Sequence, residues 1–148
     1  MSAIVQPQVP VARSVFTHMS QLLDVKLNSE TDAVRLATRG VTTRSYRRVA
    51  HKLQIPSSLV APESTVRRRL SANARFTEAE SERLIRLARV YAEAVELFGD
   101  EDRALQWLNR ADTYIPGQPP VTPIRLAVKD SGARLIESHI RRTAHGIF

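Results

Sequence analysis

Between Thr77 and Gly99 the chain permits one local structure. Thr77 followed three residues later by Glu80 is a capping-box pattern, in which the hydroxyl accepts from a free amide of the first turn and the carboxylate accepts from the cap's own N–H. Leu84, Leu87, Ala88, Tyr91, Ala94, Val95 and Phe98 then fall on one broad stripe at helical spacing, with Ile85 and Val90 beside it, and Gly99 ends the run. Arg83, Arg86 and Arg89, at three-residue spacing, mark the solvated side. A helix of this length predicts the spine of the fold.

Shorter amphipathic segments surround it. Residues 1–13 have no periodic pattern and read as a flexible arm, after which Ser14 can cap a helix carrying Val15, Met19, Leu22 and Leu23 inward. A second helix follows Ser29, with Ala33, Leu36 and Ala37 inward and Gly40 at its end. Thr42 or Thr43 caps a third, on which Tyr46, Val49, Ala50 and Leu53 form the buried stripe while Arg44, Arg47, Arg48 and His51 project the other way. Ile55-Pro56 stops it, because proline disfavours α geometry in the residue before it. A fourth helix opens with Pro62 in its first turn and runs to Leu70. At 100° per residue, Val66 and Leu70 face in, Ser64, Thr65 and Arg68 face out, and Arg67 and Arg69 lie on the flanks.

Beyond the spine, Asp100 can cap a helix packed through Ala104, Leu105, Trp107 and Leu108. Trp107, the only Trp, suits either a core position or a partner anchor. Residues 112–123 shift to Pro, Gly, Gln and Thr and make an irregular connection. Thr122-Pro123 reopens a helical turn, and Asp130 caps a last helix with Ala133, Ile136, Ile140 and Ala144 inward and Gly146 at its end. The final Ile147 and Phe148 need a docking surface, on this protein's own core or on a partner.

Aromatic residues make up only 5%, and no segment alternates as a strand does, so an all-α fold is expected. It divides into a helix-turn-helix domain over residues 14–76 and a helical interaction domain over residues 77–148. No apolar run is long enough to span a bilayer and Met1 to Gln8 is not a secretory signal, which predicts a soluble, cytoplasmic protein. With no cysteine, and four histidines that lack ligand spacing, neither a disulfide nor a metal site is expected. No nucleophile constellation and no phosphate-cradling Gly-rich loop stands out, so neither catalysis nor a cofactor is expected.

Charge separates the two halves. Residues 1–76 hold 12 Lys/Arg against 4 Asp/Glu, whereas residues 77–148 hold 10 against 11. Within residues 41–75, eight basic side chains face Glu63 alone. A polyanion is the natural partner of such a surface, and a basic helix hairpin that is merely solvated is the alternative. Small hydroxyls and an Arg near a helix start can reach base edges while flanking Arg side chains take phosphates. The candidate DNA-binding residues are therefore Arg44, Arg47, Arg48, Ser64, Thr65, Arg67, Arg68 and Arg69, with the fourth helix as the recognition helix. The same groups would also bind an RNA backbone.

Three stretches resemble one family: RFTEAESERLIRLARVYAEAVELFGDEDRALQWL from Arg75 to Leu108, TPIRLAVKDSGARLIESHIRRTAHGIF from Thr122 to Phe148, and STVRRRL from Ser64 to Leu70. Together they are similar to the Xre/MbcA/ParS-type antitoxins encoded beside RES-domain toxins. The chain departs from that pattern at Pro116-Gly117-Gln118-Pro119, where family members often have a Gly-Gly pair, and at Lys129-Asp130, where they often have Thr-Glu. The resemblance implies a C-terminal domain that covers a RES toxin and a terminus that blocks the toxin's NAD-binding cleft, the toxin consuming NAD or using it for ADP-ribosylation. Carried onto this chain, the toxin-binding residues are Glu137, Ile140, Arg141, Arg142, Thr143, His145, Gly146, Ile147 and Phe148. A homodimer on a palindromic operator, repressing its own operon, is the further implication. A stand-alone helix-turn-helix regulator or RNA-binding protein whose C-terminal half only dimerises is the competing reading.

Overall fold

The structure, a computed structural model, describes residues 11–144. Its helices are α1 (Val11–Leu23), α2 (Glu30–Arg39), α3 (Thr43–Leu53), α4 (Glu63–Ala72), α5 (Glu78–Phe98), α6 (Glu101–Leu108), α7 (Pro123–Leu126) and α8 (Asp130–Ala144). A 3-10 turn at Ser57–Leu59 lies between α3 and α4. Among the described residues the only β pairing is a single bridge between Asp112 and Val121, which pinches the Pro-rich connection. The all-α expectation is met.

α5 is the spine. Its capping box is fully formed: the Thr77 hydroxyl accepts from Glu80 N and the Glu80 carboxylate accepts from Thr77 N. Leu84, Leu87, Ala88, Val90, Ala92 and Ala94 are completely buried. α1, α2 and α3 pack on this helix, and so do α6 and α8. One hydrophobic cluster therefore runs from Val15 of α1 to Ile140 of α8 across the line between residues 76 and 77 where the sequence suggested two domains. The reason is the stripe itself, which is wide enough to serve as core for both halves.

Local signals placed most helix ends. Ser29, Thr42, Asp100 and Thr122 each accept a backbone amide as N-cap. Four boundaries differ. α1 starts at Val11, so residues 11–13 are not part of an arm and Ser14 lies within the helix; residues 1–10 of that expected arm lie outside the described residues. α4 takes Pro62 as its N-cap rather than inside the first turn, and continues past Leu70 to Ala72 before Asn73 adopts a left-handed conformation. Asp130 lies within the first turn of α8, whose entry is marked by Ala133 N bonding Lys129 O at 2.8 Å.

Long-range polar contacts lock the front helices together. The last carbonyls of α1 have no partners within that helix. Ser45 Oγ donates to Leu23 O at 2.5 Å, while Arg48 donates through Nε to Leu22 O and through Nη2 to Gln21 O. The turn between α2 and α3 is held against the link between α4 and α5. Val41 N donates to Ser81 Oγ, Phe76 N donates to Val41 O, and Arg75 donates to Gly40 O. Gly40 at φ 95° makes that approach possible, since a Cβ there would collide with Phe76 O.

Candidate nucleic-acid interface and partner face

The basic residues of α3 and α4 differ sharply in what they already bind. Arg47, Arg67 and Arg68 are exposed, and among the described residues none of them forms an ion pair or a side-chain hydrogen bond. Arg44 is exposed and pairs with Asp24 at 2.9 Å, an ion pair in open solvent that a phosphate can replace at little cost. Arg48 is spent on the α1 carbonyls.

Arg69 is withdrawn from the interface altogether. Its guanidinium meets Glu80 through Nε at 2.7 Å and Nη2 at 3.3 Å, with side-chain exposures of 18% and 10%. Burial pushes the Glu80 carboxyl up, but the hydrogen bonds from Arg69 and Thr77 together outweigh it and hold the group below its ordinary value. The sequence placed Arg69 on a flank of α4, and the flank it occupies faces α5. Ser64 is exposed as expected, while Thr65 is half-buried.

The connections between the helices also differ from the sequence expectation. A helix-turn-helix joins its two helices through three or four residues, often with glycine. Residues 54–62, which separate α3 from α4, are too many and contain the 3-10 turn. Residues 40–42, which separate α2 from α3, have the required length and begin with Gly40. The N-terminal end of α3 adjoins the C-terminal end of α4, where Thr43 Oγ1 donates to Asn73 Oδ1 at 2.5 Å. Thr42, Thr43, Arg44, Asn73 and Arg75 line a depression of about 410 Å³ at that junction.

One contact the sequence did not reveal joins this basic region to the back half. Lys52 of α3 pairs with Glu101 of α6 at 2.8 Å, and Glu101 is also hydrogen-bonded to Tyr91. Burial, then the charge and hydrogen bond of Glu101, push the Tyr91 phenol up to about 12.

On α8 the candidate partner residues divide among three directions. Ile140 is only 5% exposed and belongs to the core: at 3.6 residues per turn it shares the inward stripe with Ala133 and Ile136, so its side chain presents little surface to a partner. Glu137 and Arg141 line a groove of about 1000 Å³ between α2 and α8, floored by α5. Arg142 and Thr143 are exposed and bond only within the helix, to Ser138 and His139 O. His145, Gly146, Ile147 and Phe148 lie outside the described residues. Trp107 is half-buried and packs against the core, its ring 5.9 Å from that of Phe98.

No helix among the described residues is long and apolar enough to cross a membrane. No protein-family model matches the chain. Its sequence is nevertheless related to proteins named Antitoxin Xre. One from Photorhabdus laumondii is 43% identical over 81 residues, 54% of this chain and 53% of that protein. One from Yersinia enterocolitica is 36% identical over 98 residues, 66% and 64% of the two chains, and one from Pseudomonas putida is 26% identical over 113 residues, 76% and 63%. The chain is thus similar to proteins of that name, in keeping with the resemblance of the three stretches, and spans between half and two thirds of the length of these relatives.

Proposed function

We propose that this protein is a non-catalytic, cytoplasmic antitoxin that neutralises a cognate RES-domain toxin and represses its own operon. The observation that carries the reading is the relationship to three proteins named Antitoxin Xre. In this reading the end of α8 and the residues that follow, with Arg141, Arg142, Thr143, His145, Gly146, Ile147 and Phe148, cover the toxin's NAD-binding cleft. Guanidinium groups and an imidazole suit its phosphate positions and Phe148 an apolar one.

Operator binding rests on α2 and α3 as the helix-turn-helix, which revises the sequence assignment of α4 as recognition helix. The tight glycine turn at residues 40–42, the unpaired charge of Arg47 and the solvent-exposed Arg44, whose pairing with Asp24 a phosphate can replace, support α3 in the major groove. Ser64, Thr65, Arg67 and Arg68 then serve the flanking backbone. A homodimer would place two such elements on a palindrome.

Co-expression with the product of the adjacent gene tests the first part. Growth should be rescued by the full chain and lost on deletion of residues 143–148; rescue by the truncated chain overturns terminal plugging. For the second part, a gel shift with the upstream operator and with unrelated DNA should show clear preference for the operator. Equal binding to both would favour a general nucleic-acid-binding protein whose back half only dimerises.

A further inference from the structure

The groove between α2 and α8 has a charge character opposite to that of the chain as a whole, which carries a net +7. Six carboxylates line it, from Glu30, Glu78, Glu82, Glu93, Asp130 and Glu137, against four arginines. Three of those arginines are already engaged. Arg89 holds Glu30 through both Nη atoms at 2.6 and 2.7 Å, Arg134 pairs with Asp130 at 3.1 Å, and Arg86 donates to Val128 O at 2.6 Å. Glu78, Glu82, Glu93 and Glu137 are left without an ion pair among the described residues.

Ala33 and Ala37, one turn apart on α2, line the groove together with Ile85 of α5 and Ala133 of α8, small apolar side chains set among charged ones from all three helices. Val34 stands on the α2 rim at 64% exposure. A visiting helix with a narrow apolar stripe fits between walls that offer negative charge to its flanks.

We infer that this groove docks a basic helical segment of a protein partner, with arginine or lysine side chains entering between Glu93 and Glu137. The inference deepens the antitoxin reading by naming the chemistry of the segment that meets α8, and rests on that reading for the partner's role. Charge complementarity selects this occupant. Residues 1–10 of this chain contain no Lys or Arg side chain to set against the carboxylates. Burial and the neighbouring Glu137 charge push Glu93 up to about 7 against the opposing charges of Arg89 and Arg141, an unfavourable arrangement that a further cation beside the two relieves.

The test uses the full chain, ¹⁵N-labelled, titrated with an amphipathic alanine-leucine peptide bearing arginines four residues apart, and with the same peptide carrying glutamates instead. The arginine peptide is expected to shift the amides of Ala33, Ala37, Ile85 and Ala133. A Glu93→Gln/Glu137→Gln variant should weaken it at least tenfold, and the glutamate peptide should do nothing. Absence of binding at millimolar arginine peptide, equal binding of both peptides, or unchanged affinity in the variant overturns the proposal. So does tighter peptide binding after deletion of residues 2–10, which would make that segment the occupant. Sedimentation that shows self-association abolished by the same double substitution would make it a second copy, with the same consequence. Failure of the adjacent gene product to bind would sink the antitoxin reading while leaving the peptide result standing.

Discussion

Arg69 of α4 and Glu80 of α5 form a partly buried, two-point ion pair at 2.7 and 3.3 Å, and the same carboxylate caps the helix it belongs to. One oxygen, Glu80 Oε1, thus accepts from both Arg69 Nε and Thr77 N. The pair fixes the angle at which α4 leaves the spine, and it turns a side chain with the composition of a DNA contact into a structural one.

Substituting Arg69 should therefore cost stability rather than affinity. Arg69→Ala leaves Glu80 with its capping bond but without its cation, and about 2 kcal/mol is expected by urea unfolding. Glu80 is held below its ordinary value in the fold, so its contribution is present above the unfolded carboxylate pKa and disappears as pH falls through the folded one. In Arg69→Ala the loss of stability below about pH 4 should be shallower than in the wild type. Parallel acid limbs in the two proteins would show that the pair does not hold Glu80.

Glu93 behaves in the opposite sense. Its folded pKa is raised to about 7, by burial first and the charge of Glu137 second, against Arg89 and Arg141, with Glu30 adding to the rise. The folded state then binds more protons than the unfolded one between roughly pH 4.3 and 7, so stability declines as pH rises through that window. Glu93→Gln should flatten this decline and raise the unfolding midpoint at pH 8, by about 2 kcal/mol in stability. A midpoint unaffected at pH 8 would contradict the raised value.

Removing an unengaged arginine should act on DNA binding through charge. Arg47→Ala is expected to lower the slope of log affinity against log salt by about 1, the signature of one lost phosphate contact, with stability unchanged. Arg48→Ala should do the reverse, because Arg48 caps α1 through Leu22 O and Gln21 O: stability falls by about 1 kcal/mol and the salt slope stays. Fluorescence anisotropy at several salt concentrations, with thermal unfolding alongside, separates the two.

The division of α8 gives a matching pair. Ile140→Ala empties a core position and should cost roughly 2–5 kcal/mol. Arg142→Ala, on the exposed side, should leave unfolding within about 0.5 kcal/mol of wild type and show itself only in the proposed complex with a toxin. Loss of toxin neutralisation in Ile140→Ala with stability intact would point to Ile140 as a direct contact.

What could be read from the sequence was whatever a few neighbouring residues decide among themselves. The capping box at Thr77 and Glu80, the cap at Asp100, the helix start after Ser29 and the stripe from Leu84 to Val95 are local statements, and each stands in the fold as read. Kinship with the Xre-type antitoxins was equally legible, since it lies in the order of residues. The functional state of a charge is not local. Arg47, Arg48 and Arg69 look alike in sequence, yet one is free, one caps α1 and one neutralises Glu80, because what a guanidinium can bind depends on which distant carbonyl or carboxylate the packing brings within about 3 Å. The groove of Glu93 and Glu137 has the same origin: the two lie 44 residues apart, and only the seating of α8 along α5 makes them neighbours.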